Sequence, residues 1–310
     1  MTTPHWWQTE GTDSDGQPVY RCSLCAHKCR IEVGTVGRCG VRGADENGFI
    51  SPCLGWFSAC AVDPIEKKPL LHFQPGTQIF SLGSMGCNMF CPFCQNHHLA
   101  HPRKRLSFEQ LTPTALLTQV VEQNLTSVAY TYNEPLLQAE FIVEAAPMAR
   151  ERKIATVLVT NGMFSDTALE DLTPWLDAVN IDLKTFNKKK YAQMGGSLKA
   201  VQNTISYMAQ AGIHVELTTL VVPGISDDRD EFAELVDWVA GVSNNIPLHI
   251  SRYFPANKYH EPPTDVNLMK TFHNIAKGRL RHVHLGNIHV EASPGRDRTN
   301  IEDGLDDSED

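Results

Sequence analysis

The sequence predicts an α/β protein, a partial (β/α)6-type barrel with a small cysteine-rich metal-binding module at its amino-terminal end. Three observations lead there. From Thr77 onward, short apolar runs alternate with longer runs of helical period, and repeated βα units imply a parallel sheet with its active site at the carboxyl ends of the strands. All nine cysteines lie within the first 94 residues, the earlier ones in a glycine-rich stretch. The 310 residues, 42% hydrophobic and 20% charged, are ample for one large core. A doubly wound sheet is the alternative arrangement of the same elements.

Residues 1–61 form the module. Between Arg21 and Ala61 the chain is rich in Gly and Cys (Gly34, Gly37, Gly40, Gly43, Gly48) and poor in apolar periodicity, as expected of a unit folded around a metal because it cannot bury enough core. Trp6 and Trp7 read as core packing. Residues 62–76 carry Pro64, Pro69 and Pro75 among charges and are expected to be a linker without strand or helix. The barrel spans 77–290. Its strands are expected over 78–82, 127–131, 155–160, 178–183, 214–222, 248–254 and 282–285. Its helices are expected over 113–123, 136–153, 166–172, 198–211, 228–240 and 266–276, with Thr112, Ser165 and Asp227 at their starts. The run Lys188-Lys189-Lys190 reads as a solvated helix start. Residues 291–310, dominated by Asp and Glu, are expected to be an acidic disordered tail.

A net charge of −9 argues against a nucleic-acid partner. The chain shows neither an export leader nor about 18 uninterrupted apolar residues, so no membrane partner and a cytoplasmic location are expected. Nine cysteines, an odd number at short spacings, point to metal ligation over a disulfide framework.

The most specific motif is Gly86-Cys87-Asn88-Met89-Phe90-Cys91-Pro92-Phe93-Cys94-Gln95-Asn96. Three thiolates spaced C-x3-C-x2-C, just after the first barrel strand, can hold three irons of a [4Fe-4S] cluster and leave the fourth iron open for chemistry. A structural zinc with His97 or His98 as fourth ligand is the alternative.

Through Cys87, Cys91 and Cys94 the chain resembles the radical S-adenosylmethionine (SAM) enzymes, and within them the branch of the pyruvate formate-lyase activating enzymes. It looks like the radical SAM enzyme of the AmmeMemoRadiSam system through Cys22-Ser23-Leu24-Cys25 with Cys29, Gly37-Arg38-Cys39-Gly40-Val41-Arg42 and Asp63-Pro64-Ile65-Glu66-Lys67-Lys68-Pro69-Leu70. The likeness continues through Tyr130-Thr131-Tyr132-Asn133-Glu134-Pro135, Thr160-Asn161-Gly162, Asp182-Leu183-Lys184 and Pro223-Gly224. The resemblance implies reductive cleavage of SAM to a 5′-deoxyadenosyl radical that abstracts hydrogen from a substrate. It also implies a one-electron donor such as flavodoxin or ferredoxin, and a glycyl-radical enzyme activating enzyme-like reaction on a protein substrate. By position, Asn133 and Glu134 would bind SAM, Glu134 by accepting a hydrogen bond from its amino group, and Thr160, Asn161, Asp182 and Lys184 would line the same site. Four motifs ending four successive strands are where a barrel collects ligand contacts. Three positions depart from the family pattern: Val159 where an aspartate helps bind a cation, Thr218 for an arginine and Phe254 for a histidine. His249 or Arg252 are the candidate substitutes. Radical modification of a small molecule and a non-catalytic iron–sulfur electron-transfer module are the alternative functions.

Cys22, Cys25, Cys29 and Cys39 supply four thiolates within eighteen residues beside Arg21, Lys28, Arg30, Arg38 and Arg42. Four ligands close a site, either zinc or a second [4Fe-4S] cluster. Cys53 and Cys60 are expected to be buried free thiols. His282 and His284 share one face of a strand with nothing else to pair with them, and with His289 read as surface or satisfied polar residues.

Overall fold

Eight strands form one sheet whose spatial order follows the chain: β1 (Ala59–Pro64), β2 (Gln78–Gly83), β3 (Ser127–Tyr130), β4 (Ala155–Thr160), β5 (Ala178–Asp182), β6 (His214–Val221), β7 (Leu248–Arg252) and β8 (Val283–Gly286). The computed structural model describes residues 5–102 and 107–288. β1 is antiparallel to β2, and β2 to β8 are all parallel to their neighbours. A doubly wound sheet would reverse its order at a switch point. This one never does, so the expected barrel-type winding holds, with β1 and β8 as its two edges.

Thr112 and Ser165 cap their helices as expected, accepting from Ala115 N and Ala168 N. Three expectations need correction. The helix Arg229–Val242 is capped by Asp228, whose carboxylate accepts from Asp230 N and Glu231 N, and not by Asp227. The single helix expected over 136–153 is split into a 3-10 turn, Pro135–Gln138, and the helix Ala139–Glu151. Its first turn is tightened because Glu134 accepts from Leu136 N and Gln138 is held by Gly55 N, Cys53 O and Ser84 Oγ. Residues 62–76 are not a bare connection, since 62–64 complete β1 and Ile65–Lys67 form a 3-10 turn. Pro64 is tolerated at the end of β1 because that strand is an edge.

The amino-terminal residues form the three-stranded antiparallel sheet Trp7–Thr12, Pro18–Cys22 and Arg30–Glu32 and the hairpin Gly43–Asp45/Gly48–Ile50. Trp6 is fully buried and Trp7 stacks on Phe49 at 5.1 Å. This layer is docked on the barrel by the buried Arg42–Glu140 ion pair at 2.8 Å and by a backbone bond from Ala26 N to Met163 O of 3.1 Å. Cys60, expected to be buried, is exposed on the edge strand β1. The tail 291–310 and His289 lie outside the described residues.

The segment after the 3-10 turn crosses the amino-terminal end of the barrel. Asn180 Nδ2 donates to Pro69 O at 2.8 Å, and Leu71 N and His72 N donate to the fully buried Glu216 at 3.1 and 2.8 Å. Glu216 also bonds His214 at 2.9 Å and His249 at 2.6 Å, while His284 meets His72 Nε2 to Nε2 at 2.8 Å. His284 therefore has partners that strand periodicity alone did not reveal, because they arrive from β6, β7 and the crossing segment. Burial by itself would raise Glu216, but hydrogen bonds from His214, His249 and His72 N hold it down to about 2, below its ordinary 4.5. Its folded value is depressed, so its stabilisation is present above pH 4.5 and lost as pH falls toward 2. Glu216→Gln is expected to cost about 3 kcal/mol in urea unfolding at pH 7, since it leaves buried donors without a charged acceptor. The difference from wild type should shrink on acidification.

Candidate active site

The cysteine loop leaves β2 and is tied at both ends to the chain just beyond β3. Ser84 N donates to Asn133 Oδ1 at 2.9 Å, Asn133 Nδ2 donates to Gly86 O at 3.0 Å, and Asn96 Nδ2 donates to Tyr132 O at 2.8 Å. Gly86 has φ +89°, and a Cβ there would lie 2.8 Å from a methyl of Val41 and 3.0 Å from Cys39 O. Only glycine permits this backbone and this approach to the amino-terminal layer. Cys87 Sγ accepts from Met89 N at 3.4 Å and Asn161 Nδ2 at 3.6 Å. Burial raises all three thiols, Cys91 to about 11, while the Lys184 ammonium favours their thiolates.

Glu134 is 1% exposed and caps the start of the 3-10 turn. Its Oε1 accepts from Leu136 N at 3.0 Å and Thr160 Oγ1 at 2.7 Å, and its Oε2 from Asn161 N at 2.9 Å. A carboxylate has about four acceptor positions, so one remains for a ligand. Burial pushes Glu134 up to about 7 against the pull of Asn161 N and Thr160. Across the site, Lys184 Nζ donates to Asp182 Oδ2 at 2.9 Å and its backbone N to Tyr191 Oη at 3.0 Å. Burial would lower Lys184, but Asp182 and the Cys91 thiolate outweigh it and hold it raised.

These residues surround one cavity of about 330 Å³ at the carboxyl ends of the parallel strands. Cys87, Cys91 and Cys94 line it, and so do Asn133, Glu134, Thr160, Asn161, Asp182 and Lys184. Val159 and Thr218 line it too. The two candidate substitutes do not: His249 is engaged with Glu216 at the barrel's base, and Arg252 Nε donates to Thr264 O at 2.8 Å. Cys22, Cys25, Cys29 and Cys39 are separate from the cavity, the first two and Cys39 being buried. Three thiols on one wall, with an ammonium and a part-filled carboxylate facing the same space, can hold an iron–sulfur group and a ligand bearing both amino and carboxylate ends.

Sequence reasoning gave no role to Tyr132, Asp63 or Lys68. Tyr132 has φ +68°, a costly conformation for an aromatic residue. Its Oη donates to Asp63 Oδ2 at 2.7 Å, Lys68 Nζ donates to the same oxygen at 2.7 Å, and the ammonium stands 4.5 Å from the Tyr132 ring centre. Asp63 and Lys68 were visible inside a motif, but Tyr132 meets them only once β1 pairs with β2. Tyr132, Lys67 and Lys68 all line the cavity.

The family model of the radical SAM superfamily matches residues 82–239. An uncharacterized protein of Methanocaldococcus jannaschii, MJ0808, is 34% identical over 275 residues, covering 86% of this chain and 81% of its own. The pyruvate formate-lyase 1-activating enzyme of Escherichia coli K12 is 27% identical over 180 residues, 56% of this chain and 73% of its own. Among solved structures, a radical SAM methyltransferase from Sphaerobacter thermophilus superposes with a TM-score of 0.52 at 15% identity, covering 91% of this chain and 77% of that one. That last likeness is one of fold.

Proposed function

The chain belongs to the radical SAM superfamily, and from that premise we propose that it is a glycyl-radical-activase-like enzyme acting on a protein. As a member it is an enzyme with a [4Fe-4S] cluster and SAM as its cofactors. When bound, these supply an electron and a 5′-deoxyadenosyl radical that takes hydrogen from the substrate. The residues present fit the cluster: Cys87, Cys91 and Cys94 come from one loop, face one cavity, and Met89 N and Asn161 Nδ2 are already directed at Cys87 sulfur, as outer hydrogen bonds to cluster thiolates are. Among the described residues no three Cys, His, Asp or Glu side chains converge closely enough to hold one ion. A [4Fe-4S] cluster held by the three thiolates together would not require that convergence.

In this reading Glu134 offers its remaining acceptor position to the SAM amino group, and Lys184, fixed by Asp182, faces the anionic end. Asn133 lines the cavity and also positions the cysteine loop, its Oδ1 accepting from Ser84 N and its Nδ2 donating to Gly86 O. Thr160 and Asn161 hold Glu134, and Asn161 reaches back to the loop.

The observation that carries the reading is that the cysteine loop and the ends of β3, β4 and β5 line a single cavity. At about 330 Å³ the cavity is near the low end for small-molecule pockets, and in this reading SAM occupies it and a substrate segment is presented at the mouth. The similarity to the pyruvate formate-lyase 1-activating enzyme supports the same view. The test is anaerobic reconstitution with iron and sulfide, then reduction with SAM. Formation of 5′-deoxyadenosine is expected, and its absence from fully loaded protein would overturn the proposal.

A further inference from the structure

The amino-terminal cysteines lie outside residues 82–239, the part matched by the family model, and two buried donors beside them have no partner. Among the described residues, Arg42 Nε and Asn88 Nδ2 are buried side-chain nitrogens without a hydrogen bond. Arg42 is 2% exposed and Asn88 is fully buried. Each neighbours a different cysteine of the set, Arg42 beside Cys22 and Asn88 beside Cys25. An orphaned buried donor is costly. The Asn88 amide, beside Cys25, is satisfied when that sulfur becomes a metal-bound thiolate, which accepts N–H bonds strongly.

Asn88 is also the residue after Cys87. Its Oδ1 accepts from Asn161 Nδ2 at 2.8 Å, and the same nitrogen lies 3.6 Å from Cys87 Sγ. His27 Nε2 donates to the Asn88 carbonyl at 2.8 Å, so that nitrogen is committed to the loop. Cys25 itself forms a β-bridge with Phe164, just past β4. The two cysteine sites are thus separated by two side-chain amides in hydrogen-bond contact, Asn88 and Asn161. A purely structural zinc would give this continuity nothing to do.

We propose that Cys22, Cys25, Cys29 and Cys39 hold a second [4Fe-4S] cluster, coupled through Asn88 to the cluster at Cys87, Cys91 and Cys94, and that it relays the electron used there. The inference rests on the SAM-cluster reading above. A low-potential protein donor of the ferredoxin or flavodoxin class gives one electron, taking the amino-terminal cluster from 2+ to 1+. The same electron then takes the SAM cluster from 2+ to 1+ and returns the first to 2+, with no bond made or broken. Asn88 is a positioning residue that donates to the Cys25 thiolate.

The test uses the full chain, reconstituted anaerobically, with metal analysis and redox-titrated EPR. Wild type should contain iron for two clusters and no zinc, and the fully reduced protein should show two magnetically interacting signals. Cys25→Ala should lose the second iron quota and the interaction while keeping a signal that changes on addition of SAM, which separates this proposal from the SAM-cluster reading. In Asn88→Ala the amino-terminal cluster should be harder to reduce, with a tenfold lower reduced-to-oxidised ratio at fixed potential, about 59 mV for one electron. Asn88→Asp, of nearly the same shape, should move it the same way and serves if the alanine variant does not fold. Zinc in place of the second iron quota, non-interacting signals, or an unmoved potential in the folded Asn88 variant would each overturn the proposal.

Discussion

Cys91→Ala should reduce 5′-deoxyadenosine formation to background and remove one cluster's iron, leaving the metal at Cys22, Cys25, Cys29 and Cys39 in place. Cys91 sits between Cys87 and Cys94 on a loop fixed by Asn133 and Asn96, and among the described residues no fourth cysteine lines the cavity. With two thiolates remaining, the loop would no longer hold a [4Fe-4S] cluster facing the strand ends. Iron and sulfide quantified against wild type check the loss, and thermal unfolding checks that the fold survives. Loss of both metals together would mean that the two cysteine groups are one cooperative unit.

Glu134→Gln is expected to weaken SAM binding or cleavage about a hundredfold. Glu134 takes three donors on two oxygens, and glutamine must turn an NH2 group toward one of them. Losing the charge-assisted bond to the SAM amino group, with Asn161 N and Thr160 Oγ1 no longer fixing the acceptor, is worth about 3 kcal/mol in a buried site, which is a factor of about a hundred. Equilibrium dialysis with SAM, paired with single-turnover cleavage, separates the binding loss from the rate loss. A variant that binds and cleaves normally would show that Glu134 serves only the 3-10 turn. Glu134→Asp should recover part of the loss, because it restores charge but withdraws it from Thr160.

Much of this was legible before any coordinates. Six strand and helix pairs announced themselves by alternating period, and 155–160 and 166–172 have the bounds found in the structure. Errors gathered where a local rule met a tertiary demand. Residues 62–64 are charged and proline-bearing, yet they pair with β2 because an edge strand has a free hydrogen-bonding side. Residues 135–138 have helical composition, yet they wind as 3-10 because Glu134 and Gln138 are held by partners far along the chain. The histidines show the same limit in the opposite direction. Periodicity put His282 and His284 on one face, but only the crossing segment brings His72 to His284 and two backbone N–H groups to Glu216.

By itself the sequence determined the chemistry on offer, because metal ligation depends on residue types at short spacing: Cys87, Cys91 and Cys94 fall on one loop whatever the rest of the chain does. It also determined that strand-end motifs would share a face, since parallel βα units leave them no other. The tertiary structure decided what each of those residues is free to do. Hydrogen-bond capacity is finite, and only the folded chain shows that Asn133 is tied to the cysteine loop, that Glu134 has one acceptor position left, and that Asn88 and Asn161 join the cysteine loop to the end of β4.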